Sequence, residues 1–437
     1  MNTLRRLIDT SNPGLLGKEM YALVERLYPI CRSITGKGVE QTLAVVRDYI
    51  DLDIHAVASG SPAFDWTVPR EWNIRDAWVK NPRGEKVIDF QRSNLHVLNY
   101  SIPVHTSVSL KELKEHLYTI PEYPDWIPYR TSYYTEAWGF CTTHRLVESL
   151  PPGDYEVCID ATLEPGHLTY GEYRIAGESD DEVLISTHIC HPSLCNDNLS
   201  GIALATVLAR SLATAGLRYS YRFLFIPGTI GSITWLSRNT STVSRIRHGL
   251  VVTCVGDAGP FTYKKSRHDT AVIDRAVALA LSQAEVEYSI VDFYPYGYDE
   301  RQYCSPGFDL AVGSLTRSSH GTYPQYHTSA DNLQFVGAEH LAESLQMYLK
   351  VIAIIEGNQI YRGTQPYCEP QLGKRGLYRA GGGPVQTESY RMALLWVLNM
   401  ADGKHSMLDI AERSKLPFDV LDRASSALLE AGLIVPE

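Results

Sequence analysis

The chain has 437 residues, which exceeds one ordinary domain and predicts two or three. Hydrophobic residues make up 44% and charged residues 21%, a composition that supports a sizeable buried core. The net charge of −10 argues against nucleic acid as the main partner, because phosphate binding needs a concentrated positive field.

The amino-terminal segment and the cysteines give expectations about location. The first residues, MNTLRRLIDTSNPGLLG, place only two apolar residues after two arginines, which is unlike a signal peptide. No stretch approaches the roughly 18 apolar residues of a membrane span, so no membrane partner is expected. Eight cysteines without a CxxC pair resemble neither a disulfide scaffold nor a structural zinc module. We therefore expect a cytoplasmic protein.

Two regions of different pattern make up the first 150 residues or so. Residues 17–50 carry apolar residues at helical spacing in two stretches and predict two helices. From 61 to 149, Trp, Tyr, Pro and short alternating runs dominate. This second pattern predicts a small inserted β-rich domain with one short helix near 110–117.

Apolar strands alternate with helices from 155 to 360. Strands are expected at YEVCIDATL, EVLISTHIC, YRFLFIPG and GLVVTCVG, and helices at 199–214, 232–238, 270–284 and 337–357. The alternation predicts an α/β fold, with a mixed, mostly parallel sheet sandwiched by helices and built from about 1–60 and 150–365. Ligands of such sheets bind at the carboxyl ends of the strands.

Residues 386–437 have the pattern of a winged helix. Helical stretches at 388–400, 406–414 and 418–431 precede a final LIVPE, and Ser406 with Asp409 forms a candidate capping box. Residues 406–437 contain six acidic and three basic side chains. Two acids, Asp419 and Asp422, open the helix that would read DNA, so we expect protein contacts or a homo-oligomer here instead.

The segment 183-VLISTHICHPSLCNDNLSGIALATVLARSL-212 carries the strongest chemical signal. His188 ends a predicted strand, and Asp197 precedes a helix whose N-terminus favours a carboxylate. An imidazole and a carboxylate held in this way suit a catalytic zinc site, which takes three protein ligands and keeps a position open. The alternative is a strand end with polar caps.

Two further segments offer candidate ligands. The loop 320-HGTYPQYHTSADN-332 contains His327, which could complete the coordination, and otherwise is a surface loop before a helix. Asp257 follows the strand GLVVTCVG and is either a ligand or an Asx-turn residue.

Together these segments resemble the co-catalytic zinc aminopeptidase superfamily. Within it, the chain is similar to a bacterial group of aminopeptidase-like proteins of unknown function, which have an inserted β domain and a winged-helix tail. The matching phrases span nearly the whole chain and include LYPICRSITGKG, THICHPS, PGTIGSI, GDAGPFTYKKSR, YGYDERQY and YHTSADN. The resemblance implies metal ligands at His188, Asp197 and His327, with Asp257 as a fourth ligand or as a partner of the ligands.

The sequence departs from the aminopeptidases at the Glu-Glu pair that should follow YRFLFIP. Here Gly228 and Thr229 stand in its place, so both the general base and one zinc ligand of that family are missing. One zinc ion is therefore expected rather than two. Glu300 in YGYDERQY is the candidate replacement base, the alternative being a surface carboxylate paired with Arg301.

Other residues near these motifs are candidates for metal binding, for packing or for contact with a substrate. Cys190 and Cys195 could be soft ligands but are expected to be buried packing residues, and His191 and His320 are reserve ligands. The candidate substrate contacts are Arg301, Arg317, Tyr298 and Tyr326.

The function implied is a zinc-dependent hydrolase of an amide or related acyl bond in a small, amino-containing or short peptide-like substrate, within a biosynthetic pathway. The rival is a catalytically silent metal-binding scaffold or regulator that uses its winged helix for protein contacts.

Overall fold

The structure of the protein is a computed structural model that describes residues 12–377 and 386–437. Its strands, in chain order, are β1 (Asp53–Ala58), β2 (Pro62–Ala63), β3 (Trp66–Thr67), β4 (Glu71–Lys80), β5 (Lys86–Asp89), β6 (Val104–Ser109), β7 (Leu117–Tyr118), β8 (Phe140–Cys141), β9 (Asp154–Glu164), β10 (His167–Ile175), β11 (Glu182–His188), β12 (Ser220–Ile226), β13 (Ile246–Val252), β14 (Phe261–Lys264), β15 (Tyr288–Val291), β16 (Val312–Thr316), β17 (Ile360–Gly363), β18 (Asp402–Ser406) and β19 (Ile434–Pro436).

The α-helices are α1 (Pro13–Leu27), α2 (Lys37–Arg47), α3 (Leu110–Glu115), α4 (His144–Ser149), α5 (Ser200–Leu212), α6 (Ile230–Arg238), α7 (Thr240–Val243), α8 (Val272–Ser282), α9 (Glu300–Tyr303), α10 (Ala338–Gly357), α11 (Gln386–Met400), α12 (Met407–Ser414) and α13 (Phe418–Glu430). Within the described ranges, no helix combines the length and the apolar character that a membrane crossing requires.

A mixed sheet of eight strands forms the centre, in the order β1-β10-β12-β11-β13-β16-β14-β15. The four strands β12, β11, β13 and β16 are parallel neighbours, so their carboxyl ends meet at one edge. Every residue of β11 and β12 is buried, as expected for strands that are covered on both faces. The edge where β11 ends is therefore where a ligand site is expected.

Alternate residues of β11 enter two different cores. Val183 and Ile185 pack with α1, α2, α5 and α10, whereas Leu184 packs with α6 and with the inserted strands. This division follows from the pleat, which turns successive side chains to opposite faces. Helix α5 is mostly apolar and mostly buried because it lies in the first core, between the sheet and α1.

The inserted unit is an antiparallel sheet in the order β5-β4-β9-β6. Its longest strand, β9, contains YEVCIDATL, which the sequence analysis had grouped with the α/β core. The strand alternates buried and partly buried positions along most of its length, which is typical of an antiparallel strand with one more solvated face. The inserted sheet thus extends past residue 149.

The carboxyl-terminal helices α11, α12 and α13 pack with a three-stranded sheet in the order β18-β17-β19. The predicted capping box is present, since Asp409 N–H donates to Ser406 Oγ at 3.2 Å and Ser406 N–H donates to Asp409 Oδ2 at 2.7 Å. Arg275 of α8 joins this unit to the core through Asp409 at 2.6 Å and Glu412 at 2.9 Å.

Candidate metal centre

The site lies where β11 ends. His188 is the last residue of that strand, and the following loop brings Asp197 back to it just before α5 begins. Both side chains are buried, since His188 is 2% exposed and Asp197 is 0% exposed. The separation of nine residues seen in the sequence is therefore a compact loop in space.

Three ligand atoms converge in this loop. His188 Nε2 lies 2.9 Å from Asp197 Oδ1 and 3.1 Å from His191 Nδ1, and His191 Nδ1 lies 3.5 Å from Asp197 Oδ1. Zinc bonds of about 2.0–2.2 Å in a tetrahedron give ligand–ligand edges of about 3.3 Å. The triangle therefore has the size of one face of a tetrahedral zinc site, and these three residues form a group that could hold a metal ion.

His327 contacts the other oxygen of the same carboxylate. Its Nε2 lies 2.9 Å from Asp197 Oδ2, and its ring centroid lies 5.1 Å from that of His191. The backbone oxygen of His327 accepts the N–H group of Tyr129 at 2.7 Å. The Tyr129 ring also stands edge-on to His191 and His327, with centroids 5.2 and 5.1 Å away. A residue of the inserted unit thus buttresses two of the imidazoles.

Backbone and side-chain hydrogen bonds fix the loop that carries Asp197. Asp331 Oδ1 accepts the N–H group of Asn196 at 2.6 Å, and Asp331 Oδ2 accepts that of Asp197 at 2.9 Å. The amide of Asn196 donates to Asp257 Oδ1 at 3.0 Å, and Ser318 Oγ donates to Asp257 Oδ2 at 2.5 Å. Asp257 thus supports the neighbour of Asp197 and lies outside the converging triangle.

The charge balance of the centre favours a bound cation. Among the described residues, the basic groups within 4 Å of the Asp197 carboxylate are histidines. Burial alone would raise the pKa of Asp197, but His191, His188 and His327 outweigh it and hold this pKa well below its usual value. Burial lowers the pKa of His191 and of His327, although Asp197 opposes this shift in both rings.

A fully buried carboxylate that is surrounded by imidazoles has no permanent counter-charge, which is costly in a protein interior. A divalent cation would remove that cost. Neutral imidazole and carboxylate are also the ligands that zinc takes in catalytic sites. The donor set of this centre therefore fits zinc.

A cavity of about 360 Å³ opens beside the imidazoles. The main sheet, the 296–301 loop and the inserted unit all contribute to its wall. The lining residues are Ile34, Trp66, Tyr133, Tyr134, His188, Cys190, His191, Gly228, Thr229, Ile230, Ile233, Tyr296, Gly297, Tyr298, Asp299, Arg301, His320, Tyr326 and His327. A larger cavity of about 770 Å³ lies between α2 and the inserted sheet and contains none of these histidines, so it is not the centre of the chemistry.

Three of the four candidate substrate contacts line the smaller cavity. Tyr298 stacks on His188 with centroids 5.1 Å apart, and Tyr326 stacks on His327 at 4.0 Å. Arg301 lies over the ring of Tyr296 at 5.6 Å. Arg317 does not reach the cavity, because its guanidinium is bound to Gly259 O at 2.9 Å and Glu343 at 2.8 Å.

Glu300, the candidate base, does not line the cavity either. Its carboxylate is buried and accepts a hydrogen bond from Lys264 Nζ at 2.9 Å, and the alternative partner Arg301 is not the residue that holds it. The residue before it, Asp299, is the carboxylate on the cavity wall. Asp299 is not among the residues that the sequence motifs predict for the site.

The two cysteines near the motif are packing residues with protonated thiols. Cys195 is fully buried in the first core, and burial raises the pKa of its thiol. Cys190 lines the cavity, donates to Gly228 O at 3.7 Å, and burial raises its pKa to about 12. His191, held in reserve on the sequence, belongs to the triangle, and the spacing His-Ile-Cys-His was its only signal. His320 instead stands edge-on to Tyr298, with centroids 5.1 Å apart.

Comparison with known proteins gives the chain two family matches. A family described as a domain of unknown function (DUF4910) matches residues 21–358, and a winged helix-turn-helix family matches residues 359–436. A protein of Clostridium acetobutylicum is 52% identical over 434 residues, which is 99% of each chain. Its description names polysaccharide biosynthesis and an aminopeptidase-like domain.

Solved structures extend the likeness to the fold. A crystal structure from Clostridium acetobutylicum has a TM-score of 0.94 at 51% identity and covers 99% of each chain. A zinc aminopeptidase from Bacillus subtilis has a TM-score of 0.56 at 12% identity, over 77% of this chain and 94% of that one. The predicted aminopeptidase-like fold and winged helix are confirmed. The chain belongs to the DUF4910 family, with a winged helix-turn-helix module after it.

Proposed function

We propose that the protein is a zinc-dependent hydrolase of aminopeptidase type that cleaves an amide or related acyl bond of a small, amino-containing substrate. The observation that carries this proposal is the triangle of His188 Nε2, His191 Nδ1 and Asp197 Oδ1 beside a cavity. The description of the relative from Clostridium acetobutylicum, which names polysaccharide biosynthesis, supports a biosynthetic role for the proposed reaction.

One zinc ion is proposed at this triangle. His188, His191 and Oδ1 of Asp197 would bind it, and His327 would hold the carboxylate through Oδ2. In this arrangement His191 has the ligand role that the sequence motif assigned to His327. When bound, zinc polarises a carbonyl group and makes water a stronger acid, which is the chemistry that amide hydrolysis needs.

The cavity residues have separate proposed tasks. Tyr298 and Tyr326 stack on His188 and His327 and fix the orientation of these rings. Arg301 presents a partly buried guanidinium whose Nε has no hydrogen-bond partner among the described residues, so it is available to an acceptor on the substrate. The aromatic wall limits the water that reaches the acyl carbon.

A second candidate function is a metal-binding scaffold without activity. Gly228 and Thr229 favour it, because they stand where the aminopeptidases hold the carboxylate that activates water. A scaffold would bind zinc but would not hydrolyse acyl bonds. The two functions therefore differ in turnover and not in metal content.

Hydrolysis by the zinc-loaded protein tests the proposal. Aminoacyl amides, N-acetylated amino sugars and short peptides would be incubated with the full chain, and the released amine would be measured. We expect turnover of at least one class, and loss of that turnover in His188→Ala. Zinc binding without turnover of any of the three classes would favour the scaffold.

A further inference from the structure

Asp299 is a buried carboxylate with one unused oxygen. It precedes the short helix α9, its side chain has 0% exposure, and it lines the cavity next to the proposed zinc site. Ser232 Oγ lies 2.7 Å from Asp299 Oδ1. Oδ2 has no hydrogen-bond partner among the described residues. Such an orphaned atom in a protein interior is rare and calls for a ligand or a chemical role.

The unused oxygen lies next to the end of β12. A Cβ atom added to Gly228 would be 3.2 Å from Asp299 Oδ2 and 3.1 Å from the Cβ of His188. Oδ2 therefore borders the space into which a side chain at position 228 would project. Because Gly228 has no side chain, the carboxylate that borders this space is that of Asp299. It comes from the 296–301 loop and not from the strand end.

The contacts of Ser232 bear on the proton of Asp299. Ser232 Oγ is 2.7 Å both from Asp299 Oδ1 and from the backbone oxygen of Thr229. A hydroxyl group has a single proton and can donate to only one of these oxygens. Both contacts become hydrogen bonds when Asp299 carries a proton on Oδ1, donates it to Ser232, and Ser232 donates to Thr229. The site is thus built to hold a proton as well as to lose one.

We propose that Asp299 is the general base of the hydrolysis, in place of the glutamate that is absent at Gly228. This inference rests on the proposed function. Asp299 Oδ2 removes a proton from the attacking water while the water oxygen bonds to the acyl carbon. The same proton then passes to the leaving nitrogen as the C–N bond breaks, so the products are a carboxylic acid and an amine.

The electrostatic surroundings of Asp299 suit this role. Burial raises the pKa of Asp299 to about 7, Ser232 lowers it through its hydrogen bond, Glu300 raises it and Arg301 lowers it. A general base works best with a pKa near the working pH. Glu300 differs from Asp299 in its contacts, because the ammonium group of Lys264 binds one oxygen of its carboxylate.

Binding of acetohydroxamate to the zinc-loaded full chain separates this inference from the proposed function. A hydroxamate binds zinc as an anion, and a neighbouring base takes up the proton it releases. We expect Asp299→Asn to weaken binding roughly tenfold or more while zinc content stays unchanged, because a charge-assisted hydrogen bond is lost. The matched control is Asp292→Asn, an exposed carboxylate on the preceding segment, which should bind as the wild type does.

Equal affinity in Asp299→Asn and wild type would overturn the inference and leave the proposed function standing. No hydroxamate binding by the zinc-loaded wild type would overturn both. If Asn at this position prevents folding, Ser232→Ala keeps the carboxylate and removes the hydrogen bond that lowers its pKa. Hydroxamate binding should then require a higher pH than in wild type, and an unchanged pH profile would count against the inference.

Discussion

Asp331 binds the backbone of Asp197, accepting its N–H group through Oδ2 at 2.9 Å. Both carboxylates are fully buried, and the other oxygen of Asp331 accepts the N–H group of Asn196 at 2.6 Å. Burial raises the pKa of Asp331 to about 8, although these two donors lower it. One carboxylate thus fixes the position of the other without itself belonging to the triangle.

Replacing Asp331 should therefore loosen the metal centre. Asp331→Ala leaves two buried N–H groups without acceptors and frees the loop that carries Asp197. We expect zinc affinity to fall by roughly 10–100-fold, the range typical of residues that orient ligands. Competition with a chelator of known affinity measures it. Asp292→Ala is the control, and unchanged zinc affinity in Asp331→Ala would show that the loop is rigid without this contact.

Breaking the buried ion pair of Lys264 and Glu300 should destabilise the folded protein. The side chains are 6% and 1% exposed, and the charged atoms are 2.9 Å apart. Glu300→Gln leaves a buried ammonium group without its counter-charge, which typically costs about 3–5 kcal/mol in the free energy of unfolding. Urea unfolding measures this loss, and replacing both residues with Met should recover much of it. A stable Glu300→Gln protein that has lost hydrolysis would return Glu300 to the role of base.

The buried His248 should make the folded protein less stable in acid. Burial lowers its pKa to about 4, with a smaller effect of Arg218. Because an unfolded histidine titrates near 6.5, the unfolded state binds more protons between pH 6.5 and 4, and stability falls as pH falls through this window. The loss across this window is about 3 kcal/mol in the free energy of unfolding.

Urea unfolding at pH 7 and pH 4.5 checks this expectation. His248→Phe should lose less stability than the wild type on acidification, because the variant cannot take up the proton. The exposed His167→Gln should behave as the wild type does. Equal loss in His248→Phe and wild type would contradict the assignment.

We predict that the winged helix does not bind DNA. Helix α13 has Asp419 in its first turn and also carries Asp422, while Asp409 and Glu412 of α12 are engaged by Arg275. Phosphates would meet acidic side chains on this unit. Fluorescence anisotropy of labelled random duplex DNA with the full chain at micromolar concentration should show no binding. Binding that weakens steeply as salt rises would contradict the prediction.

Much of the fold follows from local pattern. The continuous apolar run of β11 and the helix after Asp197 could be predicted because strand, loop and helix are contiguous. The prediction that β9 belongs to the α/β sheet is wrong, because the apolar content of this strand masks its period of two. Pairing partners distant in sequence, such as β4, are not visible in the segment itself.

The contiguous motif predicted part of the site, and the family resemblance added His327 from a separate loop. His188 and Asp197 share one segment, whereas the approach of Asp299 to Gly228 depends on two loops from different strands. Glu300 and Asp299 are adjacent in sequence at the start of α9. The side chain of Glu300 contacts Lys264, whereas that of Asp299 lines the cavity. That choice of direction is made by tertiary packing and leaves no trace in residue type.

Zinc content of the full chain, purified without chelator, tests the central claim most directly. Elemental analysis should give about one zinc per chain in the wild type and in His320→Ala, whose imidazole lines the cavity outside the triangle. His191→Ala should lose most of the zinc, because it removes one of three ligand atoms. Full zinc content in His191→Ala, or two zinc ions per wild-type chain, would contradict a single site at His188, His191 and Asp197.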